Sequence, residues 1–395
     1  MPRDLILTRD FALVFAANVL HGLSFFLFIH LPRFLTDIGA DEVDIGLIIG
    51  VAAIAAIVSR PKIGRAMDTR GRRPVIIVGG ILNIVAILLY LSVTSLGVWI
   101  YVVRVLHGVA EGMMFTVLFT YGADVVPASR RTEGLALFGV SGLIPMALGG
   151  VLGELILHWF GFDELFLVAA VFAILAWLMG FALPERAPHV DREQKGAGFL
   201  SAIRRRDLLP LWWMTGIFSL VLTSYFTFLR TFVDTVGFGS VGMFFAAYSV
   251  TAILLRLFFG WVPERVGEKR VLYPALASLG LGLLVLATAK SGSAIALAGI
   301  LAGVGHGYAF PILFAFTVAR APVRDRGSAL AFFTALFDVG VLIGGPAFGV
   351  MIAVSGYPAM YTAAAVILVA GAVIFAFWDR KHDPRAVGNQ QSAVG

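Results

Sequence analysis

One stretch of this chain is written twice, and that duplication constrains the fold more than any other feature. Residues 106–150 recur without a gap as residues 301–345, at an offset of 195 (301 − 106). The matches include Gly108, Gly112, Pro127, Arg131, Gly149 and Gly150, which return as Gly303, Gly307, Pro322, Arg326, Gly344 and Gly345. Each copy reads as an apolar helix, a loop with Pro and Arg, and a second apolar helix. The chain is therefore built from two similar halves related by an internal axis.

Composition indicates that both halves lie in a membrane. Of the 395 residues 59% are hydrophobic and 14% are charged, too few polar groups to cover a globular surface of this size. A spanning helix needs about 20 apolar residues. Such windows occur near 11–31, 45–63, 74–93, 97–121, 132–153, 164–183, 209–229, 241–262, 271–289, 293–319, 328–353 and 358–378.

These twelve windows, six in each half, predict an all-α polytopic membrane protein made of two pseudo-symmetric six-helix bundles. We expect a first bundle over residues 1–184, a linker over 185–208, a second bundle over 209–380 and a tail over 381–395. The first apolar run lacks a small-residue cleavage pattern and reads as a retained helix rather than a signal peptide. The absence of cysteine excludes disulfides and thiolate metal sites.

The net charge of +6 could suggest a nucleic-acid partner. The basic residues are concentrated on one side of the membrane, however, which argues against such a partner. With both termini on one side, 26 of the 30 Lys and Arg fall on that side, counting Arg60 and Arg256 at helix ends. The opposite side holds Arg33, Arg230 and Lys290, and the thirtieth, Arg104, lies inside a predicted helix. The positive-inside rule then places both termini in the cytoplasm, and the lipid bilayer, most simply a bacterial inner membrane, is the surrounding medium.

A motif after the second predicted helix carries a family resemblance. It consists of Gly64, Asp68, Arg70, Gly71, Arg72 and Arg73, and is echoed by Gly260 and Glu264. It resembles the loop signature of the major facilitator superfamily of secondary transporters, although Thr69 stands where that family has a basic residue. The resemblance implies a cytoplasmic latch between the bundles. The simpler interpretation, that the arginines only anchor the loop to anionic lipid, leaves Asp68 and the glycines unexplained.

The fourth predicted helix places three polar residues on one face. Arg104, His107 and Glu111 stand at i, i+3 and i+7, so His107 can reach either of the other two. Gly108 and Gly112 form a small-residue edge on an adjacent face. Arg104 followed by these glycines resembles the family's fourth-helix signature, which implies proton coupling. The alternative is a structural arginine held by carbonyl groups or by an acid.

The fifth predicted helix carries Gly142, Pro145, Gly149 and Gly150. This spacing resembles the antiporter signature of the same family, with Ile144 in the place of a glycine and one extra residue after the proline. It implies export. The alternative is that the glycines only allow close helix packing.

The repeat predicts where a proton could bind. Glu111 and His306 occupy equivalent positions (306 − 111 = 195), so we expect them to reach a central cavity from opposite bundles. His21 and Asp338 are the reserve candidates. In the alternative, Glu111 and His107 merely satisfy each other one helical turn apart.

The residues that would contact a substrate are less well marked. Asn18, Tyr225, Phe226 and Tyr308 are the candidates, because hydroxyl, amide and aromatic groups suit a partly apolar compound. The expected function is proton-coupled export of a small organic or amphipathic compound by a monomeric secondary transporter that needs no cofactor beyond the proton gradient. Proton-coupled uptake of a metabolite is the alternative, followed by a non-transporting scaffold or receptor. We find no phosphate-binding loop, nucleophile elbow or metal-spaced ligands, so we do not expect an enzyme.

Overall fold

The computed structural model describes residues 5–127, 131–185, 203–321 and 326–380. Within these ranges every regular element is helical. The first half holds α1 (Arg9–Leu27), α2 (Leu31–Asp37), α3 (Glu42–Arg70), α4 (Arg72–Leu89), α5 (Val98–Val125), α6 (Arg131–Trp159) and α7 (Phe162–Phe181). The second half holds α8 (Leu209–Val236), α9 (Val241–Phe259), α10 (Val262–Val266), α11 (Glu268–Ala287), α12 (Gly292–Arg320) and α13 (Arg326–Asp379).

The helices are long and apolar enough to cross a membrane. Eleven segments of the described chain meet that requirement, and the last, Phe332–Asp379, is 48 residues long. A straight helix of that length would measure about 72 Å, more than twice the roughly 30 Å of a bilayer core. Gly356 interrupts it with φ 80° and ψ 172°, so α13 supplies the eleventh and twelfth spans. The predicted fold class of twelve helices is confirmed.

The outer surface of the molecule is apolar. Large hydrophobic side chains such as Val354 (79% exposed), Trp159 (71%) and Leu257 (63%) face outward. Water would penalise this arrangement, whereas lipid does not. The protein is a multi-pass integral membrane protein.

The two halves pack as bundles that meet along two pairs of helices. In the first half α1 packs on α6 and α7, α3 on α5, and α4 on α5 and α7. In the second half α8 packs on α13, and α12 packs on both α9 and α11. Between the halves, α3 packs on α13 and α6 packs on α9. These two interfaces are related by the repeat, since α3 corresponds to α9 and α6 to the first part of α13.

The halves approach most closely at one end of the molecule. We name the two ends after turn glycines: the Gly39 end lies between α2 and α3, and the Gly71 end between α3 and α4. Near the Gly39 end, a Cβ on Gly46 would collide with the carbonyl of Gly345. A Cβ on Gly349 would likewise strike the backbone of Glu42. Glycine thus allows α3 and α13 to touch backbone to backbone.

The second interface uses the same device. A Cβ on Gly150 of α6 would lie 3.1 Å from the Cα of Gly242 in α9. Among the described glycines, those that bring the backbones of the two bundles together all lie in the half of the molecule nearer the Gly39 end. The bundles are closed against each other there.

Two stretches that follow predicted apolar windows are helical rather than loops. After the window that ends near residue 31, a 3-10 turn over Phe28–His30 leads into α2, where proline occupies the first turn. After the window that ends near residue 63, residues 64–70 of the loop motif form the last two turns of α3. Only Gly71 breaks the helix, with φ +90°, a conformation that L side chains rarely adopt.

Candidate functional site

A buried polar cluster lies inside the first bundle, centred on Glu111 of α5. The Nε2 atom of His21, on α1, lies 3.3 Å from Glu111 Oε2. The Nε2 atom of His107 lies 3.4 Å from Glu111 Oε1 on the same helix. The side chains of His21, His107 and Glu111 are 4%, 2% and 16% exposed. A carboxylate is thus enclosed by two imidazoles within a membrane-spanning helix.

Two further residues extend the cluster toward the Gly39 end. The Tyr90 hydroxyl lies 3.1 Å from His107 Nδ1. Arg104 donates from Nη1 to the Tyr90 oxygen at 3.3 Å and from Nε to the Ile48 carbonyl at 3.3 Å. The predicted contact between Arg104 and His107 is therefore indirect, through Tyr90. Sequence reasoning missed Tyr90, which ends the third span in a 3-10 turn and has no spacing relation to the α5 residues.

The polar contacts of this cluster run from Arg104 to Glu111. Arg104 can only donate, so the Tyr90 oxygen accepts from it and the Tyr90 hydroxyl proton is free to donate to His107 Nδ1. The Nε2 atoms of His107 and His21 face the two carboxylate oxygens of Glu111 at ion-pair distance, without the geometry of a hydrogen bond. Glu111 is therefore the acidic group on which the cluster converges.

His306, the repeat equivalent of Glu111, lies in a different environment. The hydroxyl of Tyr248, on α9, hydrogen-bonds His306 Nδ1. The rings of Phe218 and Phe310 pack edge-on against the imidazole, with centroids 5.5 Å away in each case. The described contacts join Glu111 to His21 and His107, and His306 to Tyr248, rather than Glu111 to His306.

Asp338, the other reserve candidate, joins the two bundles. Arg60 of α3 lies with Nη2 2.5 Å from Asp338 Oδ2 on α13, and its Nη1 donates to Thr334 at 3.2 Å. The Arg60 and Asp338 side chains are 17% and 23% exposed. Arg60 was predicted as a basic residue at a helix end. It lies inside α3, ten residues before the helix ends, because α3 continues to Arg70.

A second set of polar residues links the bundles at the Gly39 end. Arg230 of α8 donates to His30 Nδ1 at 3.2 Å, so His30 Nε2 carries the proton and donates to the Gly150 carbonyl at 3.1 Å. Arg33 lies 3.3 Å from Asp234. A cavity of about 700 Å³ opens beside them. These contacts join α2 and the 3-10 turn before it to α6 and α8, where the backbones also meet.

The residues of the predicted latch contact their own bundle. Arg72 pairs with Asp124 of α5 at 3.0 Å, and its backbone N–H donates to Glu185 after α7 at 3.0 Å. Arg73 stacks over the ring of Phe181. Gly64 has open space beside it, Arg70 is exposed, and Gly260 caps α9. The side chains of Asp68 and Glu264 lie outside what the structure describes, so the latch stays a prediction.

The second half repeats this arrangement with different residues. Asp379, at the end of α13, pairs with Lys269 at 2.7 Å and with Arg320 at 2.5 Å. Asp379 thus takes the place that Glu185 has in the first half. Sequence reasoning missed both acids, because each stands at or just beyond the end of the last helix of its bundle, far from the motif in the chain.

The predicted antiporter motif of α6 serves close packing. A Cβ on Gly22 of α1 would strike Pro145, and one on Gly149 would strike Phe26. Gly150 meets Gly242 across the bundles, as described above. Gly142 differs from the others, because nothing lies within 4 Å of the position its Cβ would take.

Each candidate substrate residue makes a hydrogen bond or a packing contact within the protein. Tyr225 is fully buried and donates to the Leu279 carbonyl at 3.1 Å, so it packs α8 on α11 rather than lining a cavity. Asn18 donates to Ser141 at 2.8 Å, and Tyr308 donates to the Phe259 carbonyl at 3.2 Å. Phe226 meets Phe26 across the bundles, with ring centroids 6.4 Å apart.

Comparison with known proteins decides the family. The model of the Major Facilitator Superfamily matches residues 13–241 and 236–394, which is nearly the whole chain. The chain belongs to the Major Facilitator Superfamily. It is 26% identical over 375 residues to the uncharacterized MFS-type transporter YhhS of Escherichia coli (strain K12), covering 92% of this chain and 90% of that protein. YhhS of Salmonella typhimurium is 28% identical over the same length, with the same coverage.

Solved structures of other superfamily transporters share the fold. The human organic anion transporter MFSD10 (TETRAN) superimposes with a TM-score of 0.72 at 17% identity, covering 93% of this chain and 99% of that one. A POT family transporter in complex with a thioalcohol-conjugated peptide gives a TM-score of 0.79 at 13% identity, covering 95% and 96%. These structures show the shared fold, while membership of the Major Facilitator Superfamily of transporters rests on the family match over nearly the whole chain.

Proposed function

We propose that this transporter exports a small organic or amphipathic compound in exchange for protons, working as a monomer by alternating access. Glu111 is the proton-binding residue in this proposal. The observation that carries it is the cluster of His21, Glu111 and His107 in the first bundle. A buried carboxylate within a membrane span is costly, and functional proton sites are the common reason that one is present.

The placement of the imidazoles supports Glu111 over the histidines. Since the Nε2 atoms of His21 and His107 lie 3.3 and 3.4 Å from the carboxylate oxygens of Glu111, protonation of the carboxylate would weaken the attraction that orients both imidazoles. His21 belongs to α1 and His107 to α5, so the charge on Glu111 influences how these two helices pack. A proton can thus be linked to helix movement.

The closed Gly39 end supports alternating access. The bundles touch through Gly46, Gly150, Gly242 and Gly345 at that end, whereas Gly142 and Gly64, nearer the Gly71 end, have open space beside them. This is the arrangement of a transporter whose central site opens toward the Gly71 end. The excess of Lys and Arg in the loops at the Gly71 end supports a cytoplasmic location for it, in a bacterial inner membrane.

Export is the preferred direction because of the resemblance of the α6 motif to the antiporter signature. Uptake with protons is the second candidate, and one observation favours it. Arg60, Asp338 and Arg256 place charge between the bundles, which suits a charged metabolite better than a neutral amphipathic compound.

Purified transporter in sealed proteoliposomes tests the proposal. The vesicles would contain a pH-sensitive dye, and a panel of organic acids, bases, sugars and amphipathic drugs would be added under an imposed pH gradient. Proton movement that depends on one class of compound is the expected result, and its sign gives the direction. Failure of every compound to move protons, with protein that is folded and correctly inserted, would favour a scaffold or receptor.

A further inference from the structure

The repeat places two arginines at equivalent positions but gives only one of them a partner acid. Arg60 of α3 corresponds to Arg256 of α9, at an offset of 196 (256 − 60). Arg60 faces Thr334 and Asp338 on α13. The equivalents of those two residues on α6, at an offset of 195, are Gly139 and Leu143. The second interface between the bundles, α6 with α9, therefore keeps the arginine but lacks the carboxylate that would pair with it.

Arg256 points across the bundle interface, as Arg60 does. Its Nη1 atom lies 3.8 Å from the position that a Cβ on Gly139 would take. Its Nε atom is buried and has no hydrogen-bond partner. Among the residues that the structure describes, no carboxylate lies within ion-pair distance of Arg256. A buried guanidinium without a counter-charge is costly, so an anion from outside the chain would stabilise it.

The opposing helix leaves room for such an anion. Gly142, one turn along α6 from Gly139, has nothing within 4 Å of its Cβ position. The equivalent position in α13 is Phe337, whose ring packs among Phe218, Phe310 and Phe333. The aromatic ring of Phe337 fills this space beside α13. The equivalent space beside Gly142 of α6 is open.

The neighbours of Arg256 supply further polar groups and apolar surface. Tyr248 lies two turns before Arg256 on α9, and its hydroxyl hydrogen-bonds His306 Nδ1. Phe218 and Phe310 flank His306. A cationic fork together with aromatic rings suits a planar carboxylate attached to an apolar group.

We propose that Arg256, opposite Gly139 and Gly142, binds the anionic group of the substrate, and that the substrate class is organic carboxylates. This inference rests on the proposed transport function and names the substrate class for it. Arg60 does not compete for the ligand, because Asp338 already neutralises it. Of these two equivalent arginines, only Arg256 lacks a carboxylate partner among the described residues. The cavity therefore has one anion-binding site rather than two.

The chain has no native cysteine, so a cysteine introduced at Gly142 can report on this site directly. The test uses the purified full-length Gly142→Cys protein in lipid-free detergent, with two methanethiosulfonate reagents of similar size. One carries a sulfonate anion and the other a quaternary ammonium cation. We expect the anionic reagent to react roughly tenfold faster, since a positive charge on the facing helix raises the local concentration of anions by about that factor.

Matched variants isolate the contribution of Arg256. Arg256→Gln should remove the anion preference, and Arg256→Lys should retain part of it. Phe337→Cys is the pseudo-symmetric control and should show little preference, because the Arg60 and Asp338 charges cancel beside it. Benzoate should slow the labelling of Gly142→Cys, whereas benzamide, its neutral analogue, should not.

Equal rates for the two reagents, or an anion preference that persists in Arg256→Gln, would overturn the inference. Protection by phosphatidylglycerol micelles with none by benzoate would also overturn it, because the anion would then be a lipid headgroup. The labelling assay needs no proton gradient. It can therefore fail while proton-coupled transport is observed, and it can succeed where no transport is found.

Discussion

Replacing Gly46 by leucine should open the Gly39 end of the transporter. In the structure, a Cβ at this position would collide with the carbonyl group of Gly345 and lie 3.0 Å from the nitrogen of Pro346. The three nearest atoms belong to the backbone of α13, so no rotation of a side chain can relieve the overlap. The bundles must separate at this point.

The size of the effect follows from the cost of overpacking. Inserting a side chain into a filled interface costs about 1–3 kcal/mol. Since the collision exists only when the Gly39 end is closed, this cost acts on the closed state and not on the open one. A difference of that size changes the ratio of closed to open molecules by roughly 5- to 150-fold.

Distance measurements between spin labels can detect this shift. Cysteines at Ser95 and Lys290 are suited to carry the labels, because both residues are exposed in turns at the Gly39 end and belong to opposite bundles. In the wild-type background we expect one short distance. In Gly46→Leu, a population with a longer distance should appear and dominate.

Gly216→Leu is a suitable control, because no atom lies within 4 Å of its Cβ position. It should leave the distance distribution unchanged. If Gly46→Leu is folded and keeps the wild-type distribution, the backbone contact between α3 and α13 does not hold the Gly39 end closed, and the reasoning is refuted.

Three further outcomes are expected. In a double-mutant cycle, Arg60→Ala and Asp338→Ala should show a coupling free energy of about 0.5–3 kcal/mol in thermal unfolding, because each charge is the other's partner across the bundles; additive effects would show that the pair is not coupled. Gly71→Ala should lower the melting temperature, since alanine at φ +90° is strained and its Cβ meets Glu185, whereas Gly64→Ala should not; equal melting temperatures would contradict the role of Gly71. A cysteine at Ser129 should react with impermeant reagents only from the cytoplasm and one at Gly39 only from outside; the reverse would contradict the topology.

The internal repeat and the apolar windows predicted the architecture because lipid imposes a simple requirement. Each apolar window of about 20 residues has to become a helix that satisfies its own backbone, and a duplicated sequence has to form two similar bundles. The small-residue edge of α5 was equally informative: a Cβ on Gly108 would meet the backbone of Ala52, as expected for close helix approach.

The partners of the buried polar residues were not predictable, because a single sequence does not give the rotation of each helix. Glu111 meets His21 of α1, which the sequence offered only as a reserve candidate. His306 holds the equivalent position, but its surroundings differ for a specific reason. Gly303 packs on Tyr248 where Gly108 packs on Ala52, so a tyrosine reaches His306 in the second half where the first half has only a methyl group.

The motifs were informative about packing and less so about mechanism. Pro145 and Gly149 are explained by contacts of α6 with α1, without reference to the direction of transport. Arg72 is explained by Asp124 and Glu185 of its own bundle and Arg73 by Phe181, and these partners stand too far along the chain to be found by local spacing. Contacts between distant segments decided these roles.

The most direct test of the central claim measures substrate exchange and pH-driven substrate accumulation separately in the Glu111→Gln variant. In proteoliposomes, counterflow of a transported compound requires the bundles to alternate but needs no net proton movement, whereas accumulation driven by a pH gradient needs a proton-binding group. If Glu111 is that group, Glu111→Gln should retain counterflow and lose pH-driven accumulation. Wild-type pH-driven accumulation in Glu111→Gln would contradict the account.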